Sequence, residues 1–527
     1  MLNIAPYTNA SRLGGFMLAG LFGKKSDHPL ANLKSAQQLL DDVPKADALK
    51  ALQELTSWLE SLRDHASEFR LDHHVTVLRM LDEAAQPHVR KLLRDYFALQ
   101  PLNKFLENRI WVALNEFFSF SESAYFNVLS LCRKGDRSAT ALKPQFALLA
   151  ARSIAASANR LKLAAVRYSL IDPTLWVHLA EIYSYAESQN FLDELVPLYA
   201  GTGINTAVGR EFASLMVWFS VGTGSLSPLH IHIAERLVSS LNKHLAVGKQ
   251  TSTGSQWVIN LLQPTPPMRL NTETTLHPSL RFLGMGSAEG ALNALVQALE
   301  KGIVPQEINF GSSVYEAELV RDVAKQLVSR GVSPPPTRRN VRRKIKVNLH
   351  VANGFAKLVE NTDVGLNFSG ESNDVWEVED ISATGFRSVT KAASLESIKI
   401  GSLIGSKPEN VGNWGVGIVR RLSRDEQNNL HVGVEVLANQ VAGVSLGARD
   451  RSAMDDDSLA LYLNKPNDDS GEAWLLMKAG AYLANRSFNM RMDNKAYLLL
   501  PLGLVESGED YDLARYRKME QDTSSEE

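Results

Sequence analysis

The 527-residue chain is poor in several features, and each shortage removes a class of protein. It has a single cysteine, Cys132, so an intrachain disulfide, a cysteine-rich zinc site and an iron-sulfur cluster are excluded, and a reducing compartment is expected. It has no excess of either charge: Lys+Arg 56 against Asp+Glu 58 leave a formal net charge of -2. A protein that coats nucleic acid over its whole surface needs a basic excess, so affinity for anions has to come from a local patch. Long apolar runs are also missing. The charge-free stretch Phe212 to Ala234 is broken by Gly222, Gly224, Pro228, His230 and His232, which suits two packed helix pieces and not a membrane span. The apolar stretch Gly14 to Phe22 carries Lys24 and Lys25 where a signal peptide has small residues, so a cytoplasmic protein is expected.

Catalytic signatures are missing as well. Gly284-Met-Gly-Ser-Ala-Glu-Gly290 lacks the spacing of a dinucleotide loop and reads as a helix start capped by Ser287. His73-His74 and His230-x-His232 lack the spacing of a helical zinc site and read as surface or capping histidines. Lys249 has neither the following Ser or Thr nor the upstream glycine of a phosphate-binding loop. No nucleophile elbow occurs, and Cys132 sits in an apolar helical context. No catalytic residue, metal or cofactor is expected, and the protein is not expected to be an enzyme.

From Ser35 to Arg330 the apolar spacing is helical almost throughout, as in Leu49, Leu52, Leu55, Trp58, Leu59 and Leu62. Strand-like alternation is nearly absent there. Trp176, Leu179, Ala180 and Tyr183 look like the first helix of a tetratricopeptide repeat, but no second copy follows. At Gly331-Val-Ser-Pro-Pro-Pro-Thr337 three prolines end the helical pattern and make a stiff spacer. Beyond it the period becomes two: Ile345, Val347, Leu349 and Val351 alternate with polar residues. Val375 to Glu379, Trp414 to Arg420 and Leu430 to Val436 read as further strands, the last two joined by the polar hairpin connection Ser423 to Asn429. After about Val441 comes a loop containing Asp455, Asp456 and Asp457. Three more strands then follow, at Trp474 to Met477, Ser487 to Met492 and Ala496 to Leu500. The fold class expected is multidomain α + β: a helical array or bundle over 1–330, a linker over 331–337, a small antiparallel β-barrel over 338–440, and a β-rich extension over 441–527 with an acidic, frayed tail.

The most specific feature lies across the boundary. Arg338-Arg-Asn-Val-Arg-Arg-Lys-Ile-Lys346 places six basic side chains in nine residues before the first strand, and Asp380-Ile-Ser-Ala-Thr-Gly385 follows a later one. Together these resemble the PilZ domain, whose motifs are RxxxR before the first barrel strand and (D/N)xSxxG after a later strand. Val432-Gly-Val-Glu-Val436 resembles the closing strand of that barrel. The resemblance covers about 100 residues, Thr337 to roughly Gln440; the helical part suggests no family. It implies a receptor for the bacterial second messenger cyclic di-GMP, with Arg338, Arg339, Arg342, Arg343, Asp380, Ser382 and Gly385 as ligand-binding candidates. Both Arg338 with Arg342 and Arg339 with Arg343 satisfy RxxxR, and the family pattern favours Arg339 and Arg343.

The chemistry agrees with that implication. A ligand with two phosphates and two guanines suits arginine, which pairs bidentately with phosphate or guanine and stacks on a purine face. A carboxylate such as Asp380 accepts guanine N–H donors, which an arginine cannot do. Ser382 can donate to phosphate or hold a turn, and Gly385 would permit a positive φ or a close approach of the ligand. By the same resemblance, ligand binding would order the basic segment and reorient the helical domain. That domain would carry the output to an unidentified protein partner in motility, pili or biofilm formation. Two other readings stand beside it: a scaffold whose barrel binds no ligand, and an RNA- or anionic-surface binder acting through 338–346.

Overall fold

The computed structural model describes residues 27–100, 102–201, 205–252, 254–306, 308–309, 315–331, 340–362, 374–391, 398–448, 458–464, 471–492 and 494–521. Gly14 to Phe22, the prolines of the spacer, Arg338, Arg339, Asp455 to Asp457 and the tail beyond Gln521 lie outside the described residues.

Helices α1 (Leu33–Asp42), α2 (Ala48–Asp64), α3 (Leu71–Tyr96), α4 (Lys104–Arg133), α5 (Phe146–Val166), α6 (Thr174–Ser188), α7 (Val208–Ser220), α8 (Pro228–Ser240), α9 (Ala288–Glu300) and α10 (Ala317–Gly331) form the array. Their starts follow the local chemistry. Asp47 accepts from the backbone N–H of Leu49 and Lys50 at 3.1 Å, and Asn103 accepts from Leu106 at 2.9 Å, so each satisfies donors that a helix start leaves open. Helix α5 lies deepest. Its small residues Ala147, Ala150 and Ala151 let neighbouring helices approach closely, and it carries the buried Arg152. That guanidinium pairs with Asp82 at 3.4 Å and Glu83 at 2.6 Å, and donates to the Tyr125 hydroxyl at 3.2 Å and the Leu198 carbonyl at 2.9 Å. Among the described residues no helix is long and apolar enough to cross a membrane.

The expectation of an almost strand-free N-terminal region is corrected. Short strands β1 (Val196–Pro197) and β2 (Asn205–Thr206) pair with each other. β3 (Val247–Gly248), β4 (Trp257–Asn260), β5 (Met268–Arg269) and β6 (Leu280–Leu283) form a four-stranded sheet in the order β3-β6-β4-β5. These strands are two to four residues long, and β6 is buried along its whole length, so no alternation could mark it. The histidine reading is corrected too: His74 and His232 are buried, and His232 stacks on Phe97 at 4.3 Å. Ser287 precedes α9, but its hydroxyl donates to the His244 carbonyl and accepts no bond from the N–H groups of the helix start.

Two closed barrels follow. The first uses β7 (Arg343–Asn353), β8 (Asp374–Ser382), β9 (Gly385–Thr390), β10 (Leu403–Pro408), β11 (Gly415–Arg424) and β12 (Leu430–Ala438), with α11 (Phe355–Thr362) after β7. The second uses β13 (Gln440–Ala448), β14 (Ser458–Asn464), β15 (Glu472–Lys478), β16 (Phe488–Met492), β17 (Lys495–Ser507) and β18 (Tyr511–Gln521). Around each ring the strands run first, second, third, sixth, fifth, fourth, so the two barrels share one topology. The multidomain α + β fold class is therefore as the sequence indicates, but the three expected C-terminal strands are half of a full barrel. β13 is rich in small residues and reads as a loop, while β18 reads as a charged segment because Arg515 and Arg517 face outward and Lys518 stands among its apolar residues.

The units are joined by packed surfaces. Helix α11 inserts Phe355, Leu358 and Val359 between the barrels, in one cluster with Trp414 and Ile418 of the first and Leu461, Leu476 and Tyr511 of the second. Asp510 of the second barrel accepts from the Phe355 N–H at 2.6 Å. The helical array meets the first barrel along β11. The Arg424 N–H donates to the Tyr168 carbonyl at 2.8 Å, and Tyr168 packs against both cores. Gly224 lies so close to the barrel that a Cβ there would come within 2.8 Å of the Leu422 carbonyl.

Candidate functional site

On the outside of the first barrel a row of residues crosses four strands. Asp380 on β8 pairs with Arg387 on β9, Arg387 with Gly433 on β12, and Gly433 with Arg421 on β11. Their neighbours Phe386, Val432, Val434 and Leu422 point into the barrel core, so alternation sends the row outward. Register shifts occur at the row itself, between Val378 and Asp380 and between Val419 and Arg421. A bulge adds a residue to one strand and re-aims its side chains. Here it places two consecutive arginines, Arg420 and Arg421, outside between the inward Val419 and Leu422.

The row floors a cavity of about 640 Å³, walled by Arg342, Asp380, Arg387, Arg420, Arg421, His431 and Glu435 with the backbone of Gly385 and Gly433. Gly433 leaves the floor bare between two arginines, and a Cβ there would come within 3.1 Å of Arg421. The guanidiniums are not equivalent. Arg342 pairs with Asp380 at 2.5 Å, and Arg387 with Glu379 at 2.8 Å. Arg420 is held by Glu435 and by Glu506 of the second barrel, which keep it firmly charged. Arg421 has no carboxylate within salt-bridge distance among the described residues. Its charged neighbour is Arg330 at the end of α10, whose guanidinium is pushed below its usual range by burial and then by Arg421. Asp380, Glu379, Glu435 and Glu506 pair with three of the four guanidiniums, so Arg421 is the one left without a carboxylate, and a planar cation on an open surface suits a flat anion.

The candidates taken from the sequence fall into three groups. Arg342, Asp380, Ser382 and Gly385 line the cavity. Arg343 does not line it: it begins β7 opposite Ile381, one position out of phase with Arg342. Of the two arginines that can stand second in the motif, Arg342 is the one that lines the cavity. Arg338 and Arg339 lie outside the described residues. Ser382 and Gly385 also have local duties. The Ser382 hydroxyl donates to the Gly385 carbonyl at 3.1 Å across the hairpin, and a Cβ on Gly385 would meet the Val434 carbonyl at 2.5 Å. The glycine is therefore needed for close strand packing, and its φ is not positive. Gly385→Ala is expected to destabilise the barrel by about 1–3 kcal/mol through overpacking, measured by denaturant unfolding.

Sequence reasoning missed Arg387, Arg420, Arg421 and His431. One signal was available: the adjacent Arg420-Arg421 interrupt the apolar run Val416 to Leu422. Arg387 and His431 gave no signal, because only strand pairing across the sheet brings them to Asp380 and Glu379.

Fold and site together define a protein with an arginine-lined surface cavity on a small closed barrel, packed against a helical array. Residues 34–251 match the family model described as "Cyclic-di-GMP receptor FimW, N-terminal domain". The match lies within the helical region, for which the sequence suggested no family, and stops short of both barrels. No curated protein and no solved structure matches the chain.

Proposed function

We propose that the protein is a cyclic di-GMP receptor whose first barrel is PilZ-like, binds the nucleotide in the Arg342–Asp380–Arg387–Arg421 cavity, and passes the event to the helical array. The observation that carries this reading is the cross-strand row, in which a bare glycine lies between two arginines beside a carboxylate. The ligand's phosphates meet Arg387 and Arg421, and a guanine meets Asp380, whose carboxylate accepts N1–H and N2–H. Arg338 is the partner of Arg342 in the RxxxR motif of the sequence. The family description matched by residues 34–251 supports the same ligand class.

The route to the array is electrostatic. Arg421 carries a like charge near the partly buried Arg330 at the end of α10, and that repulsion opposes docking of the array. A dianion beside Arg421 offsets that repulsion, so the docked arrangement binds ligand more tightly and ligand favours docking. The array then presents the output to a protein partner, in a cytoplasmic, non-enzymatic pathway controlling motility, pili or biofilm formation.

Calorimetric titration of the whole chain with cyclic di-GMP, with GTP and cyclic AMP as controls, tests the reading. Saturable binding at micromolar concentration or below is expected for cyclic di-GMP alone. Absence of heat and of a thermal shift would leave a scaffold. Affinity that falls smoothly with salt and shows no preference for guanine would indicate a general polyanion binder. Gly433→Val is expected to weaken binding at least about ten-fold, because it fills the floor between the arginines. The new Cβ would come within 3.1 Å of the Arg421 Cβ, so a lowered unfolding midpoint is expected as well, and thermal unfolding recorded beside the titration confirms that the variant stays folded.

A further inference from the structure

We propose that Glu506, on β17 of the second barrel, is a positioning residue for the ligand cavity of the first. In this role it turns Arg420 from a phosphate fork into a flat stacking surface for a purine. The inference rests on the cyclic di-GMP reading of that cavity and adds a specificity element to it.

A guanidinium offers ligands either its edge, with N–H donors in a fixed fork, or its face. The edge of Arg420 is already occupied. Nη1 donates to Glu506 Oε1 at 2.7 Å and Nη2 to Glu506 Oε2 at 2.6 Å, while Nε donates to Glu435 Oε2 at 2.8 Å. The bidentate end that would chelate a phosphate is therefore filled by a carboxylate, yet the side chain is 40% exposed and lines the cavity. What remains for a ligand is the face and two N–H groups that point apart and form no fork. Glu506 is itself anchored: the Tyr511 hydroxyl donates to it at 3.3 Å, and Tyr511 is fully buried in the cluster between the barrels. The next arginine, Arg421, has no carboxylate partner among the described residues and keeps its donors for the phosphates. Adjacent residues at one bulge thus divide the work, one stacking and one pairing. A plane fixed before binding loses less freedom when a base stacks on it.

The test uses the whole chain with four substitutions: E506Q, R420A, R420K, and E506Q combined with R420A. Each is titrated with cyclic di-GMP, and its thermal unfolding is recorded to confirm that both barrels stay folded. A 2-aminopurine analogue of the cyclic dinucleotide reports stacking by fluorescence quenching at saturation. We expect E506Q, R420A and R420K each to bind about ten-fold more weakly and to lose most of the quenching. R420K keeps the charge but has no plane, so its loss separates stacking from charge. The double variant should be no weaker than R420A, because Glu506 acts through Arg420. Wild-type affinity and quenching in E506Q or R420K would overturn the assignment, as would additive losses in the double variant. If the unsubstituted chain binds no cyclic di-GMP, the ligand reading fails first and this inference falls with it.

Discussion

Replacing Arg387 and Arg421 together by alanine is expected to weaken cyclic di-GMP binding about a hundred-fold or more, with little change in stability. Hydrogen bonds to charged groups contribute about 1.5–3 kcal/mol each, so losing both phosphate partners costs at least two powers of ten in affinity. Stability is spared for two reasons. The exposed Arg387–Glu379 pair contributes little in water. Arg421 has no salt bridge among the described residues and repels Arg330, so its removal breaks no ion pair. Calorimetry and thermal unfolding of the double variant measure both effects. Binding within three-fold of the unsubstituted protein would place the phosphates elsewhere.

Arg152→Ala is expected to cost about 3–5 kcal/mol of helical-array stability, since it removes one partner of a buried ionic network. Asp82 and the Leu198 carbonyl would lose their cationic donor inside a packed core. Burial already pushes the Asp82 carboxyl above its ordinary range against the pull of Arg152, and without the arginine the shift grows. A carboxyl raised in the folded state takes up a proton on folding, so its contribution is retained at low pH and lost as pH rises through the folded value. The penalty should therefore be smaller near pH 5 than near pH 8. Urea unfolding followed by the helical circular dichroism signal at both pH values measures it; a change below about 1 kcal/mol at pH 8 would contradict the network's role.

The sequence carried the parts of the fold whose periodicity is undisturbed. Leu49 to Leu62 could only be an amphipathic helix, and Ile345 to Val351 could only be a strand, although only Leu349 and Val351 of its apolar set are buried and Val347 is exposed. What escaped notice had no period to read. β6 is buried on both faces, β13 is built from small residues, and β18 carries its apolar residues among charges. The site divides in the same way. Arg342, Asp380, Ser382 and Gly385 lie in two local segments and could be picked out together. Arg387, Arg421 and Gly433 come from three strands, and only the barrel's closure makes them neighbours. Glu506 lies still further away, on a second barrel whose existence the sequence half concealed.

The central claim is that cyclic di-GMP occupies the first barrel, whereas the family match falls on the helical region, residues 34–251. Hydrogen–deuterium exchange of the whole chain with and without the nucleotide separates these two places. The account predicts ligand-dependent protection in β8, β9, β11 and β12 around Asp380, Arg387, Arg421 and Gly433, with a secondary effect at the seam near Gly224 and Arg330. Protection confined to α1 through α8, with the barrel strands unchanged, would contradict it and move the receptor site into the helical array.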